Sequence, residues 1–257
     1  MTTTLTKPTL KIAKKVLDTV DAGLCSGKGK PIPGQMCVEA AVCYAYGLPH
    51  SDQPPCVSPA LRSFKIALND KPWSSDAARA NGLRRISIAQ LGSNKMDDNE
   101  FTKRLSEEFI RVFVTQALRS AAKANPKHAD KLEACARACE MTGSRQAALD
   151  GKEAAYAADA ADAAYAAAYA AYAAAYAAYA AAYAAEAAAY AAEAAAYAAD
   201  AADAADAAYA AEAAVDAAKA ANRDATYTLA AECCIEILRD MKQPGVKLMD
   251  RLCPIKK

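Results

Sequence analysis

Between Ala154 and Ala214 the chain places Ala at 43 of 61 positions, and the other 18 hold only Tyr, Asp or Glu. Alanine has the highest helix propensity, and no Gly or Pro stands between Gly151 and Pro244, so helix is close to the one backbone state open to this segment. A single rod from Gly151 to Gln243 would be about 140 Å long at 1.5 Å per residue. From Tyr165 the non-Ala positions are Tyr169, Tyr172, Tyr176, Tyr179, Tyr183, Glu186, Tyr190, Glu193, Tyr197 and Asp200, in alternating steps of four and three. That 3.5-residue period keeps the row on one face with a drift of about 20° per heptad, as in helices that supercoil about a partner. The flanks step by three, through Tyr156, Asp159 and Asp162 before the row and Asp203, Asp206, Tyr209 and Glu212 after it. Each such step turns the row by about 60°.

Two packing arrangements fit this pattern. The Tyr row can form a docking face, or the Ala surface can allow close approach of two backbones. Continuing the count past Glu212 gives Asp216, Lys219, Arg223, Tyr227, Ala230, Cys234, Leu238 and Met241, with Ile237 beside Leu238, so the row ends as an ordinary apolar stripe. This favours Tyr inward, with each buried hydroxyl then needing a partner. A spacer is the competing view: Tyr, Asp and Glu codons differ at single bases, and slippage of a short Ala-Ala-X repeat would generate the segment.

The 257 residues look ordinary on average, with 54% hydrophobic, 31 Lys+Arg and 30 Asp+Glu, but the repeat raises the apolar share without supplying large core side chains. Charge is segregated. Residues 1–153 hold 23 bases and 16 acids, residues 154–214 hold 8 acids and no base, and residues 215–257 hold 8 bases and 6 acids. The segregation favours contact between a basic head and an acidic stretch, within one chain or between copies. With 10 Gly and 11 Pro, most of them before position 152, collagen-like and Pro-rich classes are excluded. A Tyr or an acid interrupts the Ala every third or fourth position, so no membrane span is expected. The start, Met1 to Lys7, lacks the apolar core of a signal peptide, and nine Cys is an odd number, so free thiols and a cytoplasmic setting are expected.

The head reads as short helices. Leu10, Ala13, Leu17, Val20 and Leu24 repeat at helical spacing before the Gly/Pro-rich stretch Cys25 to Gly34. A second helix runs from about Gln35 to Tyr46 with Val38, Ala41, Val42 and Ala45 inward. Ser58-Pro59 pairs an N-cap with Pro at the first helical position, ahead of Leu61, Phe64 and Leu68. Ser74-Ser75-Asp76 caps the next helix, with Leu83, Ile86 and Leu91. A longer one starts at Asp97-Asp98-Asn99-Glu100, carries Phe101, Leu105, Phe109, Val112, Phe113 and Leu118, and stops before Pro126. A sixth, from about Lys127 to Met141, puts Leu132, Cys135 and Cys139 on one side. Nothing alternates with period two over a useful length.

Motifs for chemistry are sparse. Lys28 and Lys30 lie in a Gly-rich basic loop, Ser26 to Lys30, whose amides and ammonium groups suit an anion, although P-loop spacing is absent. Arg84 and Arg85, with Arg62, Lys65 and Arg79, suggest a basic face that is either an anion site or simply the wet side of two helices. His50, Ser51 and Asp52 are too close in sequence for triad geometry. Cys37 at a helix start has no His nearby in the sequence to act as base. Cys135 and Cys139 lie one turn apart, but with two His and no C-x-x-C pair a core role fits them better than a metal. No catalytic residue, metal ligand or cofactor is expected. A bulky Tyr/acid row is also a poor flat template for ice.

Three phrases carry a resemblance: Gly34 to His50 (GQMCVEAAVCYAYGLPH), Cys56 to Asp70 (CVSPALRSFKIALND) and Ala80 to Ser93 (ANGLRRISIAQLGS). The chain resembles an uncharacterised family of bacterial and phage proteins in which such a head precedes an Ala-rich repeat of variable length. The resemblance spans roughly residues 8–250 and implies this layout, with no activity attached. By its repeat the chain is also similar to proteins labelled as immunity proteins.

The sequence therefore predicts an all-α fold: a basic head over 1–145, an acidic Ala/Tyr repeat over 146–221 forming one long helix or a helical hairpin, and an amphipathic helix and tail over 222–257. A bend is expected near Asn222 to Thr226, where Asn, Asp and Thr can cap a new helix. The expected function is self-association or docking through Tyr165, Tyr169, Tyr172, Tyr176, Tyr179, Tyr183, Tyr190 and Tyr197, the natural partner being another copy. The alternative is a phage- or immunity-related module that captures a partner protein or an anionic small molecule at Lys28, Lys30, Arg84 and Arg85. Neither a membrane nor a nucleic acid is expected as partner.

Overall fold

Short polar side chains open the helices of the N-terminal region in the computed structural model, which describes residues 7–124, 126–157 and 223–254. Helix α1 (Leu10–Asp21) is capped by Thr9, whose hydroxyl accepts from the Ile12 N–H. Ser58 caps α3 (Pro59–Asn69), with Pro59 at the first position, where its missing N–H costs nothing. Ser75 caps α4 (Asp76–Ala89). Helix α2 (Val38–Tyr46) is capped by a thiol, Cys37, whose Sγ accepts from the Ala40 N–H at 3.4 Å. The remaining helices are α5 (Asp98–Phe109), α6 (Thr115–Ala124), α7 (Ala129–Thr142), α8 (Arg145–Ala157), α9 (Arg223–Asp240) and α10 (Pro244–Leu252). The fold is all-α: among the described residues there is no strand, and the one strand-like pairing is an isolated bridge between Gly29 and Met36. No helix among these residues is long and apolar enough to cross a membrane.

The chain forms two compact units, and their limits follow contacts rather than composition. The first joins residues 1–101 to residues 231–257, and the second spans 102–230. The boundaries fall inside α5 and α9.

In the first unit α4 is central and packs against α1, α2 and α10. Its Leu83, Ile86, Ile88 and Ala89 are fully buried, the stripe Ala13, Val16, Leu17 and Val20 of α1 is buried too, and the two helices pack together. Pro8, just before α1, and Pro244, at the start of α10, would both crowd a side chain at Gly92, beyond the end of α4. Arg84, two turns back in α4, reaches Asp21 at the end of α1 and the Cys253 thiol after α10. Helices α1 and α10 therefore run side by side in one direction, antiparallel to α4. Residues 231–253 thus complete the first unit, where composition suggests a separate tail. Pro244 opens a helix here, although Pro in the sequence reads first as a stop.

The second unit is described through residues 102–124, 126–157 and 223–230. Helices α6 and α7 pack against each other, as do α7 and α8. The long helix predicted from Asp97 to Pro126 is interrupted by a π turn at Ile110–Val114. The Thr115 hydroxyl bonds back five residues to the Ile110 carbonyl and across to the Ala136 carbonyl of α7, which fits the wider register. Phe109 and Phe113 are both buried, edge to face with ring centroids 4.8 Å apart. In α7 the buried side is Leu132, Ala136 and Cys139, while Cys135 is only half-buried.

Candidate functional site

The Gly-rich loop between α1 and α2 is held from outside by the end of α3. Asn69 accepts the Val38 N–H at 3.3 Å and donates to the Cys25 carbonyl at 2.9 Å, so one amide fixes both ends of the loop. Asp70 accepts the Gly27 N–H at 2.7 Å. Arg79 then locks this end of α3, donating to the Asn69 carbonyl at 2.8 Å and the Leu24 carbonyl at 3.1 Å while pairing with Asp76. The imidazole Nε2 of His50 bonds the Gly29 carbonyl at 3.0 Å, which commits His50 to the loop. Within the loop the Lys30 N–H donates to the Gln35 carbonyl and the Cys37 N–H to the Lys28 carbonyl.

Gly29 is the tight point. Its φ is +68°, and a Cβ there would stand 2.1 Å from the Gln35 oxygen and 2.4 Å from the Cys25 sulfur. Gly29→Ala is expected to combine a left-handed penalty of about 1–2 kcal/mol with this clash and to open the loop. Hydrogen exchange checks this: the Gly27 and Lys30 amides should exchange faster while α4 keeps its protection.

Loop and helix ends border a small cleft of about 30 Å³, lined among others by Lys28, Cys37, Glu39, Asp52, Asn69 and Asp70. That is room for about one or two water molecules, far below the small-molecule range that starts near 300 Å³. At its floor stands Glu39, paired with Lys65; both side chains are 0% exposed. Burial pushes the Glu39 carboxyl up, against the pull of Lys65, and pushes the Lys65 ammonium down, against the pull of Glu39. The pair is neutral whichever of the two holds the shared proton, and that is how two ionisable groups are accommodated under the cleft.

Thiols surround this floor. Burial pushes the Cys37 thiol up to about 11 and Cys43 up to about 12, and it raises Cys56 and Cys234 as well. At the start of α2 burial thus outweighs any help a helix N-terminus gives a thiolate. These sulfurs are protonated at neutral pH and pack as small apolar groups. All nine cysteines are free, and among the described residues no group of three His, Cys, Asp or Glu is placed to hold a metal ion.

The residues singled out in the sequence are dispersed. Lys28 lines the cleft beside three carboxylates, and Lys30 is exposed on the loop. Arg84 is paired with Asp21 at 2.6 Å, and Arg85 with Glu232. Neither arginine lines the cleft. Lys65 and Arg79, read from sequence as part of a basic face, are buried. The tyrosines from Tyr165 to Tyr197 lie outside the described residues.

Comparison with protein-family models, with curated proteins and with solved structures finds no match to this chain. The site therefore stands on its own geometry.

Sequence reasoning passed over Glu39, Asn69, Asp70 and the role of Lys65. A signal was available for two of them. Glu39 is the lone charge in the otherwise apolar run Val38 to Ala45, and Lys65 sits in the row Leu61, Lys65, Leu68 at helical spacing. Opposite charges alone on two apolar stripes are what a buried pair looks like in a sequence.

Proposed function

We propose that this is a structural or interaction protein, cytoplasmic in setting, whose Ala/Tyr repeat mediates self-association or docking. The observation that carries the proposal is the burial of the row's continuation. Of the positions that extend the count beyond Glu212, Tyr227, Ala230, Cys234 and Leu238 are fully buried, and Ile237 beside them is nearly so. A row whose described end faces inward supports a Tyr face that packs rather than one that is only wetted, and Tyr–Tyr contacts supply large area at low entropy cost. Folded helices on both sides, α8 before and α9 after, support the repeat as a segment held at two ends. Nine free thiols support the cytoplasmic setting.

The test is solution mass by light scattering on the full chain. Wild type is expected above monomer mass, and replacement of Tyr169, Tyr176 and Tyr183 by Ala is expected to return it to monomer. A monomer at high micromolar concentration, unchanged by the triple substitution, overturns the proposal.

A further inference from the structure

Helices α1 and α10 lie far apart in the sequence and share one outer surface of the first unit. They run side by side, each beginning near a proline, Pro8 or Pro244, that crowds Gly92. Lys11 and Lys247, each three residues past its proline, therefore stand level, and Lys15 and Arg251, each seven residues past, stand level one turn on. All four residues are exposed, as are Lys7 just before α1 and Lys14 within it. The inner sides of the two helices belong to the core, with Val16 and Val20 of α1 and Val246 and Met249 of α10 buried. Packed helices lie about 8–10 Å apart. The cations thus form two adjacent rows with one helical turn, about 5.4 Å, between steps.

These rows are not neutralised from within. Among the described residues Lys7, Lys11, Lys14, Lys247 and Arg251 form no ion pair, whereas Arg79, Arg84, Arg85 and Arg239 of the same unit are each paired. Lys15, at the edge of the surface, donates to the Tyr44 carbonyl at 3.2 Å and lies 4.9 Å from the centre of its ring. Of the three acids on the two helices, Asp21 is taken by Arg84 and Asp250 by Arg239, which leaves Asp18. The unit as a whole is basic, with 19 Lys and Arg against 13 Asp and Glu over residues 1–101 and 231–257, in a chain whose net charge is +1.

We infer that the α1–α10 face docks the phosphate backbone of a nucleic-acid duplex without reading its sequence. Charge complementarity carries the inference. A duplex presents one negative charge per about 1.7 Å of its axis, and lysines bind phosphates as point charges whose counterions are released on contact. Reading bases would call for Asn, Gln or several Arg, and α1 and α10 together hold no Asn, no Gln and one Arg, Arg251. A lipid surface would call for apolar anchors beside the charges, and Leu10, 37% exposed, is the one large apolar side chain that the two helices leave exposed. In the sequence Lys11 and Lys247 stand more than two hundred positions apart, and Arg84 and Arg85 draw the eye instead, so no nucleic acid is expected there. Packing of α10 beside α1 is what assembles the surface.

Fluorescence anisotropy of the full chain with two labelled DNA duplexes of unrelated sequence tests this. Wild type is expected to bind both alike, with affinity falling about 10²–10³-fold as salt rises from 50 to 200 mM, the dependence of four or five phosphate contacts. Replacing Lys11, Lys14 and Lys247 together with Gln keeps the side-chain stems and the helix propensity. That variant is expected to bind both duplexes at least about tenfold more weakly, with the log–log salt slope reduced by about 3. Gln at Lys123, Lys127 and Lys131, exposed lysines of the second unit, removes the same charge and is expected to leave binding and slope unchanged. Circular dichroism should show equal helicity in all three proteins. No binding of either duplex by wild type, an unchanged affinity after the α1–α10 substitutions, or an equal loss in the control overturns the inference. So does a marked preference for one duplex, and so does binding to phosphatidylserine vesicles in place of DNA.

Discussion

Replacing Lys65 with Met is expected to destabilise the first unit by about 3–5 kcal/mol, the cost of leaving a carboxyl group buried without its partner. Glu39 and Lys65 are both fully buried, and Glu39 lines the small cleft. The decisive comparison is Glu39→Leu with Lys65→Met, which removes both groups and keeps the volume apolar. That double variant is expected to regain most of the loss, because desolvation of the pair already consumes much of its attraction. Urea unfolding of the four proteins gives the cycle, and a coupling of at least about 2 kcal/mol is expected between groups in direct contact. If the double variant is as unstable as the single one, the pair is not what stabilises this site.

The second large effect is expected at Gly245. Alanine in place of a helical glycine normally gains about 1 kcal/mol from propensity alone. Here the sign reverses. A Cβ 2.5 Å from two carbonyl oxygens and 2.7 Å from the Leu91 nitrogen meets rigid backbone that cannot turn aside. α10 must lift from the end of α4, taking Val246 and Met249 partly out of the core, and overpacking of this kind costs about 1–3 kcal/mol. A net loss of about 2 kcal/mol is expected for Gly245→Ala, and more for Val. Lys247→Ala on the exposed side of the same helix is the control and should stay within about 0.5 kcal/mol of wild type. Thermal unfolding read by circular dichroism compares the three, and equal stability of Gly245→Ala and wild type would remove the close-packed seat.

Much of the fold was legible because it is written locally. Ser58-Pro59 and Ser75 are caps in sequence and in structure, and the stripes Ala13, Leu17, Val20 and Leu61, Phe64, Leu68 are buried as their spacing predicts. The π turn at Ile110–Val114 left no local signal, because it answers to α7 through the Ala136 carbonyl. The site was hidden for the same reason. Glu39 and Lys65 are 26 positions apart on different helices, and only packing of α2 against α3 brings them into contact. Arg84 and Arg85 look like free cations in sequence, and their acids, Asp21 and Glu232, lie far away along the chain.

The divided first unit also sets a clock. A ribosome adds about 5–20 residues per second, so the 129 residues from Thr102 to Ala230 take roughly 6–26 s to synthesise. Throughout that interval the end of the nascent α4, at Ile88 and Ala89, lacks its close contact with Gly245 of α10. Lengthening or shortening the Ala/Tyr repeat lengthens or shortens that interval, so the number of its residues governs when the head can close.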